Sequence, residues 1–323
     1  MHRRTFIGTL TGGLLAAPLA LSAQQTRRYQ IGVVLLGGEY SATVDGLRNG
    51  LKELGLVDGK DVVFHIRDLH GDRTLVDSAA RGLEAGTVDL IYSVTTSVTI
   101  AVKRATSKVA VVFYAGEDPV TAGLVQSFSK PGGRLTGIYS RVTTLMAKRL
   151  QLLKEMIPTL RRVAIFWDTK NPLAQEVVLA QREAARQLNL QLVERPVSSV
   201  AELRAGLEVL RPAEADALAY VDSMVVSQTP MIINISMAKR LPVMAPDAMS
   251  VVKGALASYG VSYTTVGRLA AKQVHRILQG ANPADVPVEG IDQLHFAINL
   301  KTAKALGLTI PPSLLQRADQ VIE

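Results

Sequence analysis

The sequence predicts an α/β protein: two similar Rossmann-like lobes with parallel sheets, joined by a hinge. Three observations predict it. Apolar strands alternate with amphipathic helices from residue 28 onward, which implies right-handed crossovers and parallel pairing. The second half of the chain repeats the order of the first. Several segments between the halves read as crossings rather than one loose linker. With 323 residues, 48% of them hydrophobic and 20% charged, the chain has enough apolar mass for two medium cores.

Residues 30–36 (QIGVVLL) read as a strand. Residues 42–54 carry Val44, Leu47, Leu51 and Leu54 at helical spacing. Residues 61–67 (DVVFHIR) alternate as a strand, and Asp72 caps a helix that runs to Leu83. Residues 88–93 form a short strand, 97–105 a helix and 109–114 a fully buried strand. That last strand stops at Ala115-Gly116-Glu117-Asp118-Pro119, where Asp118 reads as a cap and Pro119 as a helix start.

Residues 163–167 (VAIFW) open the second half, followed by a helix over 172–188, a strand over 191–195 and a helix over 200–210. ADALAYVDS (215–223) echoes VDLIYSVTT (88–96). MIINISMAKRLPVMAPD (231–247) echoes residues 98–118 as helix, basic turn, strand and acidic loop. This is a twofold resemblance, not a solenoid of many short repeats. The crossings fall near 137–141, 259–264 and 290–299. The expected lobes are 28–139 plus 264–290, and 140–260 plus roughly 291–323; the helix over 264–279 goes with the first. A strand over 294–299 and a helix from Thr302 to Gly307 close the chain.

Residues 1–23 read as a signal peptide: a basic start, an apolar stretch broken by Pro18, and small residues before Gln24. Arg3-Arg4 also resembles a twin-arginine export address. The chain has no cysteine, hence no disulfide and no thiol for a lipid anchor. The expected location is the periplasm, in free form. The net charge of +8 is spread along the chain without basic clusters interleaved with aromatics, and no nucleic-acid motif is present.

Open α/β folds bind ligands outside the carboxyl ends of their strands. In the first half those ends carry Gly38 and Tyr40, Thr95-Thr96-Ser97, and Ala115 with Glu117. In the second half they carry Trp167, Asp168 and Asn171, then Asp222 and Asp247. Thr95, Thr96 and Ser97 open a helix, whose free N–H groups suit an anion; an ordinary N-cap gives the same pattern. Gly38 lets backbone approach a ligand closely. Glu117, Asp168, Asp222 and Asp247 each suit an ammonium or a helix cap; Asp222 has no obvious helix after it. Aromatics at these ends stack on a ligand or pack in the core: Trp167 is expected on the cleft wall, Tyr114 and Tyr220 in the core. His65, His70, His275 and His295 lack a metal spacing, and there is no P-loop, G-x-G-x-x-G or G-x-S-x-G. No metal, no cofactor and no catalytic residue is expected.

The chain resembles the ABC-transporter substrate-binding proteins of the family that includes tryptophan and tyrosine binders. The runs that carry the resemblance are RRTFIG…AQQ, GLRNGLKELGLVDGKDV, AVKRATSKVAVVF, DPVTAGLV, SKPGGRLTGI, KRLQLLKEMIP, RRVAIFWDTKNP and INLKTAKALGLTIPPSLLQRADQVI. The resemblance implies a periplasmic binding protein-like fold of type I. It also implies capture of a small solute, an amino acid or related compound, for the membrane subunits of an ABC permease, without catalysis. By position it points to Thr95, Thr96, Ser97, Ala115, Asp168, Asn171 and Asp222. Family members carry W-N-P/E-x-N-P after the second-lobe strand, whereas residues 167–172 here read WDTKNP; the departure points to a solute more polar than an aromatic amino acid. A monomer suits this role. A soluble partner of a membrane sensor is an alternative, and an exported α/β enzyme a more remote one, since no nucleophile–base pair is evident.

Overall fold

The computed structural model describes residues 28–323, apart from Val221 and the side chain of Thr143. The proposed signal peptide lies outside the described residues.

The first lobe is built on β1 (Tyr29–Leu35), α1 (Ser41–Glu53), β2 (Val62–Asp68), α2 (Val76–Ala85), β3 (Leu90–Val94), α3 (Thr96–Ala105), β4 (Ala110–Ala115) and β5 (Leu135–Tyr139). The second contains α4 (Val142–Met156), β6 (Arg162–Asp168), α5 (Ala174–Gln187), β7 (Gln191–Val197), α6 (Val200–Val209), β8 (Ala217–Tyr220), α7 (Ser223–Ser227), α8 (Thr229–Ala238), β9 (Val243–Ala245), α9 (Ala248–Val252) and β10 (Ala257–Gly260). The chain then returns through α10 (Tyr263–Leu278) and β11 (Glu289–Gly290). It finishes with β12 (His295–Asn299), α11 (Leu300–Leu306), α12 (Pro312–Leu315) and β13 (Gln320–Ile322).

Two sheets result, ordered β11-β5-β4-β3-β1-β2 and β13-β12-β10-β9-β8-β6-β7. Every pair is parallel except β10–β12, where Ala257 lies opposite Ile298 and Gly260 opposite His295. The exception follows from the crossings. At residues 140–141 and 261–262 a helix, α4 or α10, carries the chain away from the hinge. At 291–294 no helix intervenes, so β12 itself runs away from the hinge, against its neighbour.

Period-two alternation places successive strand residues on opposite faces. Ile31, Val33 and Leu35 join Tyr92, Val112 and Tyr114 on the face covered by α1 and α10, while Val34, Ile91, Val111 and Phe113 face α2 and α3. In the second lobe, Ala164 and Phe166 face one core and Val163 and Ile165 the other, under α4 and α5. α10 packs hard on α1. A methyl group at Gly267 would lie 1.8 Å from the Thr43 carbonyl oxygen, and one at Gly46 2.0 Å from that of Thr264. Only glycine allows the two backbones so close.

Two helix expectations change. Asp118 caps no helix: its Oδ1 accepts from the N–H groups of Val120 and Thr121 in a turn, because the apolar spacing needed to hold a helix against the sheet is missing after Pro119. Asp222 does precede a helix, the short α7, and caps it by accepting from the Met224 N–H at 2.8 Å.

Candidate functional site

The carboxyl ends of both sheets face each other across a cleft, and the cleft is closed. Ser97 Oγ lies 3.4 Å from Ser223 Oγ of the opposite lobe. Arg73 Nε lies 3.5 Å from Asp168 Oδ2, and Arg73 Nη1 donates to Ser97 Oγ at 2.9 Å. Lys253 Nζ donates to Glu39 Oε1 at 2.6 Å, and Gln228 Nε2 donates to the His70 carbonyl at 3.2 Å.

Between the lobes is a cavity of about 680 Å³, its opening to solvent included. The first lobe contributes Thr95, Thr96 and Ser97 at the start of α3. Thr95 sits at φ +87°, a conformation unfavourable for a β-branched residue, and this turns the hydroxyls and the helix N-terminus toward the cleft. Thr96 Oγ1 accepts from the N–H groups of Gly116 and Glu117 at 3.0 and 3.3 Å, which fixes the loop after β4. That loop presents Glu117, and Tyr114 lies just before it at the end of β4.

The second lobe contributes Asn171 and Asp222, joined by a 2.6 Å hydrogen bond from Asn171 Nδ2 to Asp222 Oδ2. Asp222 is 4% exposed, and burial raises its carboxyl above the usual carboxylate range. Burial raises Glu117 as well, and the Asp222 charge adds to the effect. Two acids thus share one enclosed space.

The other end of the cavity is formed by the crossings. Tyr40, Tyr114 and Tyr263 meet there, the Tyr263 ring centroid 5.1 Å from that of Tyr40 in a tilted contact and 6.2 Å from that of Tyr114 in an edge contact. Tyr114 Oη lies 2.9 Å from Ser140 Oγ, and burial pushes the Tyr114 phenol up to about 12. Leu145, Met146 and Val177 supply apolar walls. Arg149, on α4 and 3% exposed, faces the same space. Its Nε donates to the Tyr259 carbonyl at 2.7 Å, and no carboxylate lies within ion-pair distance of it among the described residues. Burial lowers the affinity of this guanidinium for its proton.

Of the residues singled out in the sequence, Tyr40, Thr95, Thr96, Ser97, Glu117, Asn171 and Asp222 line this cavity. Five do not. Gly38 is spent on closing the lobes: a methyl there would lie 2.0 Å from the Ser227 carbonyl oxygen. Ala115 is fully buried in the first-lobe core, its alternation facing away from the cleft. Trp167 packs on the core under α4 and α5, the strand alternation placing Phe166 in the core on the opposite face of the sheet, and neither lines the cavity. Asp168 pairs with Arg73 at the edge of the cleft. Asp247 caps α9, accepting from Ser250 N and Oγ at 3.1 and 2.7 Å.

Tyr114 and Tyr220, read in the sequence as core, line the cavity, and Arg149, Ser223 and Tyr263 were not singled out. A signal for Arg149 existed: it occupies an apolar-stripe position of α4 with Met146, Leu150 and Leu153, where a charge has no place unless it has a use. Lys170, in the departing stretch WDTKNP, is exposed and outside the cavity.

The family model for ABC transporter substrate binding proteins matches residues 30–322. The chain belongs to this family. It is 29% identical over 265 residues to a tyrosine-binding protein of Clostridioides difficile, covering 81% of this chain and 76% of the relative. Among solved structures it is similar to an ABC domain in complex with L-Trp from Streptococcus pneumonia, with a TM-score of 0.81 and 26% identity over 92% of this chain and 100% of the other. Against the ligand-free, open structure of a substrate binding protein with adhesive properties from Clostridium difficile, the TM-score is 0.60, at 28% identity and coverage of 91% and 99%. At comparable identity, the present lobe arrangement is nearer to the ligand-bound neighbour than to the open one. These family members and neighbours are binding proteins, and no helix among the described residues is long and apolar enough to cross a membrane.

Proposed function

We propose that the protein captures a small solute, an amino acid or a close relative of one, outside the cytoplasm, closes over it, and delivers it to the membrane subunits of an ABC importer without altering it. One observation carries this reading: two acids, Asp222 from one lobe and Glu117 from the other, share an interlobe cavity with the hydroxyls and helix start at Thr95–Ser97. A ligand ammonium relieves the buried negative charge, as a proton otherwise would. A ligand carboxylate accepts from the hydroxyls and the α3 N–H groups. The tyrosines and aliphatic walls take the side chain. Support also comes from the family membership and from the L-Trp and tyrosine binders among its relatives.

The test is a thermal-shift screen against the twenty amino acids and their deaminated and decarboxylated analogues. A true ligand at a hundredfold its dissociation constant adds about 2.7 kcal/mol of stability. The reading predicts shifts from intact amino acids only. Shifts from sugars or nucleosides alone, or recovery of a chemically altered ligand, would sink it.

A further inference from the structure

The cavity has two charged ends, and the proposed function accounts for only one. Asp222 and Glu117 sit with Arg73 and Asn171 near the mouth, whereas Arg149 sits with Tyr40, Tyr114, Tyr263 and the charge of Asp247 at the hinge end. Tyr40 and Tyr114 lie between, each within the influence of Glu117 on one side. An α-amino acid carries its ammonium and carboxylate one carbon apart, so it does not bridge acids and guanidinium across intervening tyrosine rings.

Arg149 is buried and, among the described residues, has no carboxylate within ion-pair distance. One nitrogen is used on the Tyr259 carbonyl, and Nη1 approaches only the Met146 sulfur at 3.7 Å, a weak acceptor. A buried guanidinium with unused donors is costly unless something arrives to accept from them. Nothing on α4 explains the charge, since its neighbours on that face are Met146, Leu150 and Leu153.

We infer that Arg149 is a specificity-determining residue, and that the preferred ligand carries an acceptor oxygen at the far end of its side chain, which accepts from the Arg149 guanidinium between the tyrosine rings. This deepens the proposed function and rests on it for the placement of the amino-acid end. The tyrosines, tilted and edge-on to one another, enclose the far end, and Arg149 reads the group that reaches it. A site built to hydrogen-bond an oxygen discriminates strongly against the analogue lacking it, because the buried donor is then left empty.

The experiment is titration calorimetry on wild type, Arg149→Met and Arg149→Lys with pairs differing only in the distal oxygen: tyrosine and phenylalanine, tyramine and phenethylamine, 4-hydroxyphenylpropionate and phenylpropionate. In the wild type the hydroxylated member of each binding pair is expected to bind at least about tenfold tighter. Arg149→Met is expected to bring the two members of each pair to the same affinity; Arg149→Lys keeps part of the preference. A purely structural arginine holding Tyr259 would weaken all ligands alike, and that result overturns the proposal. So does equal wild-type affinity within pairs, or no binding by any pair, and neither depends on a variant that folds. The proposed function fails separately, if the intact amino acids bind no better than their amine-free or carboxyl-free counterparts, whatever Arg149 does.

Discussion

Ser97 Oγ and Ser223 Oγ, 126 positions apart in the chain, lie 3.4 Å apart across the cleft, one at the start of α3 and one at the start of α7. Their proximity exists only while the lobes are closed. The chain contains no cysteine, so a Ser97→Cys/Ser223→Cys variant carries a single possible disulfide. Under mild oxidation it is expected to cross-link faster when saturated with the ligand that the screen identifies, and the cross-linked form should neither take up nor release ligand. Intact-mass analysis and a filter-binding exchange assay read both effects. Cross-linking at the same rate with and without ligand would contradict ligand-driven closure.

Arg73 and Asp168 form an ion pair across the mouth, with side chains 15% and 4% exposed. Removing the arginine leaves a buried carboxylate facing the opposite lobe. Arg73→Met is expected to weaken ligand binding by about 1–3 kcal/mol, through the closed state alone. Calorimetry with a double-mutant cycle against Asp168→Asn tests it: the coupling energy should account for most of the loss. Additive losses would place Arg73's effect elsewhere, for instance on Ser97.

On acidification the contribution of the cavity acids to stability and their contribution to affinity should move in opposite directions. Burial raises the Asp222 and Glu117 carboxyls, so the folded protein holds these protons more tightly than the unfolded chain does. Each group therefore destabilises the ligand-free fold above its folded pKa, and the penalty fades as pH falls through that value toward the ordinary carboxylate range. Binding of an ammonium needs the charged forms, so affinity falls over the same interval. Asp247 and Glu39 are raised too, and Asp222→Asn separates the contributions. That variant keeps a capping side chain for α7. It should hold or raise ligand-free stability at neutral pH while losing on the order of a hundredfold in affinity. Calorimetric scans and titrations from pH 8 to about pH 4.5 check the sign; an affinity flat over that range contradicts it.

The contact between α1 and α10 tolerates no added side chain at Gly267 or Gly46. Gly267→Val should cost at least about 1–3 kcal/mol, with the helices forced apart. Denaturant unfolding measures it, with Gly82→Ala on α2 as the contrast, since a methyl there meets no atom within 4 Å. A loss for Gly267→Val no larger than for Gly82→Ala would refute the close-packing account.

The alternation of strand and helix, the echo between halves and the crossings were legible because each rests on local spacing. The site was legible where function coincides with strand ends: Thr95–Ser97, Glu117 and Asp222 follow from the position of the parallel strands. What escaped depends on which way a side chain points. Trp167 and Phe166 are sequence neighbours on opposite faces of β6, and the alternation turns both into the cores and away from the cavity. Arg149 and Tyr263 lie on helices that leave the hinge, and only the assembled crossings bring them to the cavity. Gly38 looked like a ligand contact because its role lies in the facing lobe, at Ser227, which no local pattern reveals.

The return of the chain through α10 and β11 has a consequence for how the molecule comes into being. The apolar face of α1 is made within the first sixth of the chain, yet its partner α10 begins only at Tyr263. Until then the first sheet lacks both a covering helix and its β11 edge, and the other lobe from α4 to β10, residues 142–260, intervenes. Such long-range closure makes folding slow and leaves greasy surface uncovered meanwhile. A fragment ending before residue 263 should therefore behave not as a folded half but as a sticky, unfinished one, and the hinge that lets the protein work also obliges its two halves to mature together.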